Sequence, residues 1–393
     1  MDTLGLYIQI PFCASKCSFC NFSSRVARGD VYDRYCHAVA EEIDRLPEIY
    51  QSASVATDLL GLPVDTVYFG GGTPSLLGGD RLANIVTDLQ RRFRFAPPTE
   101  FTLEVTPGSA DRDFLQRALA MGVNRLSIGA QSFADSELRS VGRLHSVDDT
   151  RALVQAARGE GFRNISLDLI AGLPHQTELS WRASLQSVIA LEPEHVSVYL
   201  FEIDEKSRLG SEVLRHGIRY HADAVPDEDF VADAYDQARH LLGQGGYVRY
   251  EISNFAFPGW ESFHNRKYWK LKPYLGLGAG AHSCDGQSRW ANATSVEEYE
   301  SLLERGKSPV FEQQRLTPDI QLEEFFFLGL RQMEGIDLAE ARGRWGPELI
   351  QPWEQKIESL QRDGWLVGHN GRVQLAEKSI LVSNEIFQEF ISV

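Results

Sequence analysis

No apolar run in this 393-residue chain approaches the ~18 residues of a membrane-spanning helix. The opening Met1-Asp2-Thr3-Leu4-Gly5 has neither the basic n-region nor the apolar h-region of a secretory signal. Basic charge is also short. Lys and Arg number 39 against 55 Asp and Glu, giving a formal net charge of −16 and a pI near 5.1. A surface of that sign repels phosphates, which argues against binding long nucleic acid. Internal repeats and low-complexity tracts are absent. Cysteine is scarce at five residues, an odd number, with three of them inside eight positions. A chain of 44.2 kDa needs no disulfide staples, so we expect reduced, cytoplasmic thiols put to chemical use. With 43% hydrophobic and 24% charged residues the chain can bury a sizeable core, and its length suggests two or three domains.

The first half of the chain alternates β-rich runs with helical patterns, the signature of βα units on a parallel sheet. Strands are expected over 6–10, 66–69, 101–105, 125–128, 166–170 and 195–201. Helices are expected over 31–46, 81–93, 111–121, 147–160 and 179–191. Asp30 and Asp80 are expected N-caps, and Ser146 with Asp149 reads as a variant capping box. Six units are too few to close an eight-stranded barrel. The expected fold class is α/β, an open partial (β/α)6 barrel with its chemistry at the C-terminal strand ends. The alternation stops near 207. Residues 207–225 read as irregular, 227–242 as a helix and 247–252 as a further strand, followed by an aromatic- and glycine-rich stretch over 254–292. The last section reads as helices over 336–345 and 349–363, then two short strands around a turn at Asn370-Gly371, a small winged-helix-like α+β domain. It carries eight basic against fourteen acidic residues, which is not the balance of a nucleic-acid reader. Boundaries are drawn at 1–236, 237–310 and 311–393.

The strongest signal is Cys13-Ala-Ser-Lys-Cys17-Ser-Phe-Cys20, a C-x3-C-x2-C run directly after the first strand. Zinc sites pair two knuckles to make four ligands, and no second knuckle follows. Three thiolates on one loop suit a 4Fe–4S cluster that keeps one iron open. A zinc site and three structural cysteines are the competing readings. Polar or glycine-rich residues also end the other strands. Gly70-Gly71-Gly72-Thr73-Pro74 follows strand two, with free N–H groups and no side chains to block a ligand. Glu104 lies on strand three, Gln131 follows strand four, Arg143 comes 12 positions later, and Asp168 sits inside the apolar strand five. A carboxylate there is costly unless it meets a partner or a ligand; a salt bridge to an arginine such as Arg143 is the plain alternative.

This cysteine spacing resembles that of the radical S-adenosylmethionine superfamily. In that superfamily the amino and carboxylate groups of S-adenosylmethionine chelate the open iron, and the cofactor supplies the radical chemistry. Tyr7-x-x-Ile-Pro-Phe-Cys13, Gly70–Pro74, Ser127-Ile-Gly-Ala-Gln131-Ser-Phe and Asp168-Leu-Ile-Ala-Gly-Leu-Pro174 are similar to the branch that holds the HemN-type coproporphyrinogen dehydrogenases and the HemW-type heme chaperones. The similarity covers essentially the whole chain, including a HemN-type C-terminal domain. It implies that Cys13, Cys17 and Cys20 hold the cluster. It also implies that Tyr7, Phe19, Gly71, Gly72, Thr73, Glu104, Gln131, Arg143 and Asp168 surround S-adenosylmethionine. Gln9 and Asn21 depart from the branch's usual residues, and neither is a cluster ligand. Residues 200–210 also depart, which touches the cofactor contact that Glu202 would make.

Two features lean toward the heme chaperones. The dehydrogenases carry a fourth cysteine two positions after the third, where Phe22 stands here, and a longer segment before the tyrosine. Moreover, His264-Asn265-Arg266-Lys267-Tyr268-Trp269 matches the H-N-x-x-Y-W motif of the chaperone family. Imidazole ligates heme iron, aromatic faces pack on a porphyrin, and Arg266 and Lys267 can pair with propionates. His264 is therefore the heme-ligand candidate, with a packed structural histidine as the plain alternative. His282 and Cys284 are held in reserve, although that glycine-rich run reads better as close packing against a neighbouring strand. The resemblance implies a cytoplasmic heme chaperone that binds a 4Fe–4S cluster, S-adenosylmethionine and heme, and passes heme to acceptor proteins. An electron donor for the cluster, a homodimer and peripheral membrane contact are compatible with it. No catalytic residue is assigned. The alternatives are coproporphyrinogen III dehydrogenation, a methyltransferase using two S-adenosylmethionine molecules, and an iron–sulfur protein with no heme role.

Overall fold

A computed structural model describes residues 2–55 and 57–391. Six parallel strands stand side by side in chain order: β1 (Leu4–Ile10), β2 (Val64–Gly71), β3 (Phe95–Val105), β4 (Arg125–Gln131), β5 (Ile165–Ala171) and β6 (His195–Leu200). Between them run α1 (Asp30–Ser52), α2 (Gly79–Arg92), α3 (Arg112–Ala120), α4 (Asp135–Ser140), α5 (Val147–Glu160) and α6 (Glu178–Leu191). This is the expected partial (β/α)6 barrel. Successive side chains point to opposite faces of a strand. One face is apolar throughout and packs into the main core with the helices, for example Leu6 and Ile8, Val67 and Phe69, Leu126 and Ile128, and Leu167 and Leu169. The other face is polar in layers. Tyr7, Tyr68, Thr102 and Arg125 stand opposite one another across β1–β4, and Glu104, Ser127 and Ser166 do so across β3–β5. That polar lining marks the barrel interior as a place for a polar ligand.

Several expectations change. Neither Asp30 nor Asp80 is an N-cap. Glycines, Gly29 and Gly78, take the cap positions, and the two carboxylates sit in the first turn, where they offset the helix dipole and pair with Arg34 and Arg117. The Ser146–Asp149 capping box is present, with Asp149 Oδ2 accepting from the Ser146 N–H at 2.7 Å. Helix α1 does not stop at 46. It continues through Pro47 to Ser52, because Ile49 and Tyr50 on its last turns are buried and Tyr50 packs edge-on against Trp290.

After α7 (Arg208–Leu214) and α8 (Glu228–Gln244), the expected strand over 247–252 shrinks to β7 (Val248–Arg249), which pairs with β8 (Asn254–Ala256) beyond β6. Helix α9 (Phe263–Trp269) leads to an unexpected strand, β9 (Tyr274–Leu277), parallel to β1 on its open side. The antiparallel β10 (His282–Cys284), β11 (Ser288–Asn292) and β12 (Val310–Arg315), with α10 (Val296–Glu304) between the last two, complete a twelve-stranded sheet. The glycine-rich run packs as expected: a Cβ at Gly276 would strike the His282 carbonyl, and one at Gly278 would meet the Gln9 carbonyl at 2.8 Å.

The C-terminal part adds α11 (Pro318–Leu330), which the sequence reading lacked, then α12 (Leu338–Trp345) and α13 (Pro347–Arg362). A three-stranded sheet follows the order β13 (Ile336–Asp337), β15 (Arg372–Leu375), β14 (Leu366–His369). Asn370 and Gly371 both take positive φ, the two-residue hairpin turn their types favour. The expected helix over 336–345 loses its first two residues to β13, because Asp337 caps α12 by accepting from the Ala339 N–H at 2.8 Å. Among the described residues no helix is long and apolar enough to cross a membrane.

Candidate cofactor site at the barrel mouth

The three cysteines lie on the loop that leaves the C-terminal end of β1. All three are free and half-buried. The loop is held from several sides. Lys16 Nζ donates to the Phe22 and Ser24 carbonyls at 2.6 and 3.2 Å, the Ser18 N–H donates to the Val141 carbonyl at 3.0 Å, and the Asn21 amide donates to Asp204 at 2.6 Å. Phe22, which stands where the dehydrogenases carry a fourth thiol, is 65% exposed. Among the described residues no three His, Cys, Asp or Glu side chains converge on a single ion. Burial pushes the Cys36 thiol up to about 12. Cys284 is buried, its thiol likewise raised by burial, and it accepts from the Gly286 N–H.

Beside this loop, the end of β2 forms a backbone cradle. The Gly72 N–H donates to the Ile10 carbonyl at 2.8 Å and the Thr73 N–H to the Phe12 carbonyl at 2.7 Å, clamping the glycines against the start of the cysteine loop. A Cβ at Gly72 would collide with the Phe12 backbone. Gly71 has φ of 109°, and its N–H donates to Glu104 Oε2 at 3.1 Å; the Tyr68 hydroxyl donates to Glu104 Oε1 at 2.9 Å. Burial lifts the Glu104 carboxyl to about 7; the nearby Asp168 charge adds to the rise, while the Tyr68 and Gly71 hydrogen bonds oppose it. A buried carboxylate at the edge of a side-chain-free cradle is a fitting acceptor for the N–H donors of an amino group. Tyr7 donates to the Gln9 side chain at 2.8 Å and stacks on Tyr68 with centroids 5.9 Å apart.

Asp168 does not form the arginine salt bridge that was the plain alternative. Its carboxylate is fed by serine hydroxyls, Ser127 at 3.2 Å and Ser166 at 3.4 Å, and burial raises its pKa against these and the Ser197 contact. Arg143 instead donates to the Gly129 carbonyl at 2.7 Å, while its other terminal nitrogen lies 3.9 Å from Cys17 Sγ. Its buried Nε has no partner, nor has Arg125 Nε or the Thr102 hydroxyl. Gln131 has φ of 67° and turns its amide back over Gly129. Phe19 packs on a second apolar cluster at the mouth, built on Val141, Ile170, Leu173, Leu209 and Ala222. The cysteines, Arg143, the glycine cradle, Glu104 and Asp168 therefore gather at one end of the barrel. Arg125, Ser127 and Tyr68 belong to this lining too. Nothing but their alternation within apolar strands flagged them.

His264 is at the other end. It is 1% exposed, near the N-terminal ends of the strands, beneath Tyr7 and Tyr68. Nδ1 meets the Thr66 hydroxyl at 2.9 Å, Nε2 meets the Tyr68-distinct hydroxyl of Tyr268 at 2.8 Å, and the backbone N–H donates to Glu100 at 2.9 Å. Burial first, then the charges of Lys267 and Arg125, pull its pKa down to about 3. As placed, neither ring nitrogen is free for an iron. Lys267 pairs with Asp65 at 2.7 Å and Arg266 with Glu334 at 3.4 Å. Trp269 lines a cavity of about 1060 Å³ against the C-terminal part, and that cavity carries no His, Cys, Met or Tyr. His282 is exposed on β10.

A family model described as the radical SAM superfamily matches residues 7–188, and one described as the HemN C-terminal domain matches residues 316–382. The heme chaperone HemW of Bacillus subtilis (strain 168) is 32% identical over 98% of this chain and 98% of its own length. The heme chaperone HemW of Escherichia coli (strain K12) is 30% identical over 100% of this chain and 99% of its own. Among solved structures, the radical SAM enzyme coproporphyrinogen III oxidase (HemN) from Escherichia coli matches with a TM-score of 0.85 at 25% identity, covering 99% of this chain and 90% of that one.

Proposed function

This chain belongs to the heme chaperone HemW family, a branch of the radical SAM proteins, and we propose that it binds heme and delivers it to acceptor proteins in the cytoplasm. The observation that carries this reading is similarity to HemW proteins from end to end of both chains, joined to a barrel mouth whose donors suit the cofactors of the superfamily. Cys13, Cys17 and Cys20 would hold a 4Fe–4S cluster, and Gly71, Gly72, Thr73, Glu104, Tyr7, Phe19, Gln131, Arg143 and Asp168 would hold S-adenosylmethionine. The cluster would supply an open iron for the amino and carboxylate groups of the cofactor, and the cofactor would supply a cleavable sulfonium.

The chain's own residues have separable tasks. Glu104 would accept from the amino group of the cofactor, the glycines would leave room for its approach, and Arg143, one nitrogen from Cys17, would face its carboxylate. Phe19 would flank the adenine from the second apolar cluster. A cluster of this kind calls for an electron donor; a second copy of the chain and a membrane surface are further partners the family reading admits.

The test is an anaerobic heme titration of the cluster-reconstituted full-length protein, followed by absorbance. Saturation near one heme per chain supports the reading, and the absence of saturable uptake sinks it. Coproporphyrinogen III, given to the same preparation with S-adenosylmethionine and a reductant, tests the dehydrogenase that the HemN likeness raises. Decarboxylated product would replace the chaperone reading.

A further inference from the structure

A buried polar group without a hydrogen bond calls for a physical reason, and a buried charge for a stronger one. Arg125 opens β4 with its side chain on the lumen face, opposite Thr102 on β3. It is 2% exposed, yet among the described residues its guanidinium enters no hydrogen bond and no ion pair. Glu104 and Asp168 share that condition in part. Neither carboxylate is ion-paired among the described residues. Glu104 accepts from the Tyr68 hydroxyl and the Gly71 N–H, and Asp168 from the Ser127 and Ser166 hydroxyls. One lumen thus holds three buried charges, none of them paired directly with another.

The strand register orders them. Glu104 lies opposite Ser127, two residues nearer the mouth than the Thr102–Arg125 pair. Ser166 lies opposite Ser127 in turn, and Asp168 follows two residues on, its carboxylate reaching back to both serines at 3.2 and 3.4 Å. At about 3.3 Å of rise per residue, Arg125 stands about 7 Å deeper than Glu104 along the strands. Away from bulk water, a charge still acts over that separation.

The other groups that face these carboxylates are neutral or engaged elsewhere. Tyr7, Tyr68, Tyr199 and Tyr268 look in from β1, β2, β6 and α9, and burial holds all four phenols protonated. His264 and His195 face Arg125 from the floor with both ring nitrogens bonded. Burial keeps both rings uncharged, helped by Lys267 and Arg125 at His264 and by Arg125 at His195. Lys267 pairs with Asp65 at 2.7 Å, and Glu100 takes the Phe263 and His264 N–H groups at 3.0 and 2.9 Å. At the mouth, Arg143 turns to the Gly129 carbonyl and to Cys17. Arg125 is the cation whose charge bears on both carboxylates.

Two like charges this close favour a proton on one of them. A protonated Glu104 would present a donor to the cofactor where an acceptor is needed. A direct salt bridge would occupy the same oxygens. A cation held one layer deeper does neither, and it leaves the lone pairs on the mouth side free. We propose that Arg125 is a positioning residue for S-adenosylmethionine: its unpaired charge keeps Glu104 and Asp168 ionised together, so that both accept from the cofactor. This rests on the cofactor reading of the barrel mouth.

The test is anaerobic equilibrium dialysis of S-adenosylmethionine against cluster-reconstituted full-length protein at pH 6.5 and 8.5. The carboxylate is the form that accepts, so binding strengthens as pH rises through the Glu104 value of about 7. Loss of the Arg125 charge should raise that value by about one pH unit. Arg125→Gln should therefore bind about tenfold more weakly than wild type at pH 6.5 and within about twofold of it at pH 8.5. Arg125→Lys, which restores a charge, should follow wild type at both. Arg125→Met, which fills the same space, repeats the comparison where the glutamine variant does not hold its cluster. Glu104→Gln has no carboxyl to titrate there, so the wild-type gain between the two pH values should shrink about fourfold. Equal weakening of Arg125→Gln at both pH values, or none at either, overturns the positioning role. So does a Glu104→Gln protein that keeps the full wild-type gain. Wild type that retains no S-adenosylmethionine at either pH overturns the cofactor reading, and the role of Arg125 with it.

Discussion

Replacing His264 by Gln removes a titrating ring while keeping an amide that can still reach the Thr66 and Tyr268 hydroxyls. The magnitude follows from the shift. Burial holds the folded-state pKa at about 3, against an ordinary value of 6.5. Below pH 6.5 the unfolded state binds a proton that the folded state refuses, so stability present at neutral pH is lost as pH falls toward 3. Between pH 7 and pH 5 that loss is about 2 kcal/mol, from 1.36 kcal/mol per pH unit once the unfolded histidine is protonated. The assay is urea unfolding of wild type and variant at both pH values. Other groups, such as Glu42 and Glu104 with their raised carboxyls, titrate alike in both proteins and cancel. Wild type should lose about 2 kcal/mol more than His264→Gln over that interval. An equal loss in the two proteins would mean that the ring titrates in water, and with it the sealed barrel floor described above would fall.

Cys17→Ala should abolish reconstitution of the 4Fe–4S cluster, read by iron and sulfide content, whereas Cys36→Ala, whose thiol is pushed up to about 12, should reconstitute like wild type. Gly72→Ala forces a Cβ into the Phe12 backbone, so it should cost about 1–3 kcal/mol in urea unfolding and weaken S-adenosylmethionine binding in equilibrium dialysis. Glu42→Ala strips the acceptor from the Tyr299 hydroxyl and the Asn292 amide, each at 2.6 Å, and from the Gly278 N–H at 2.8 Å. At about 1–3 kcal/mol for each donor left unsatisfied, it should be the most destabilising of these variants in thermal unfolding.

The barrel was legible in the sequence because its signal is periodic. Strands such as Ile165–Ala171 alternate apolar residues that face helices with polar residues that face the lumen, and both period and polarity survive in one dimension. The mouth was legible for a different reason: Cys13 to Cys20 and Gly70 to Thr73 are local runs whose chemistry does not depend on distant partners. What was lost depends on tertiary context. Strand β9 is four residues broken by Gly276, and only its place against β1 makes it a strand. Asp30 and Asp80 are good capping residues, yet glycines one and two positions earlier already turn the chain, so the acids fall inside the first turn. Pro47 should end a helix by its own chemistry; burying Ile49 and Tyr50 outweighs it.

The run 264–269 shows how a motif's residue types can serve the fold itself. An imidazole, two cations and two aromatics are what a porphyrin wants, but they are equally what a polar barrel floor wants. Here α9 closes the floor. Ser262 caps it, His264 fills the space under two tyrosines, Lys267 answers Asp65, and Tyr268 completes the imidazole's hydrogen bonds. Each group is satisfied by another group of the protein, so a ligand arriving at His264 would have to displace Thr66 or Tyr268 from a buried contact.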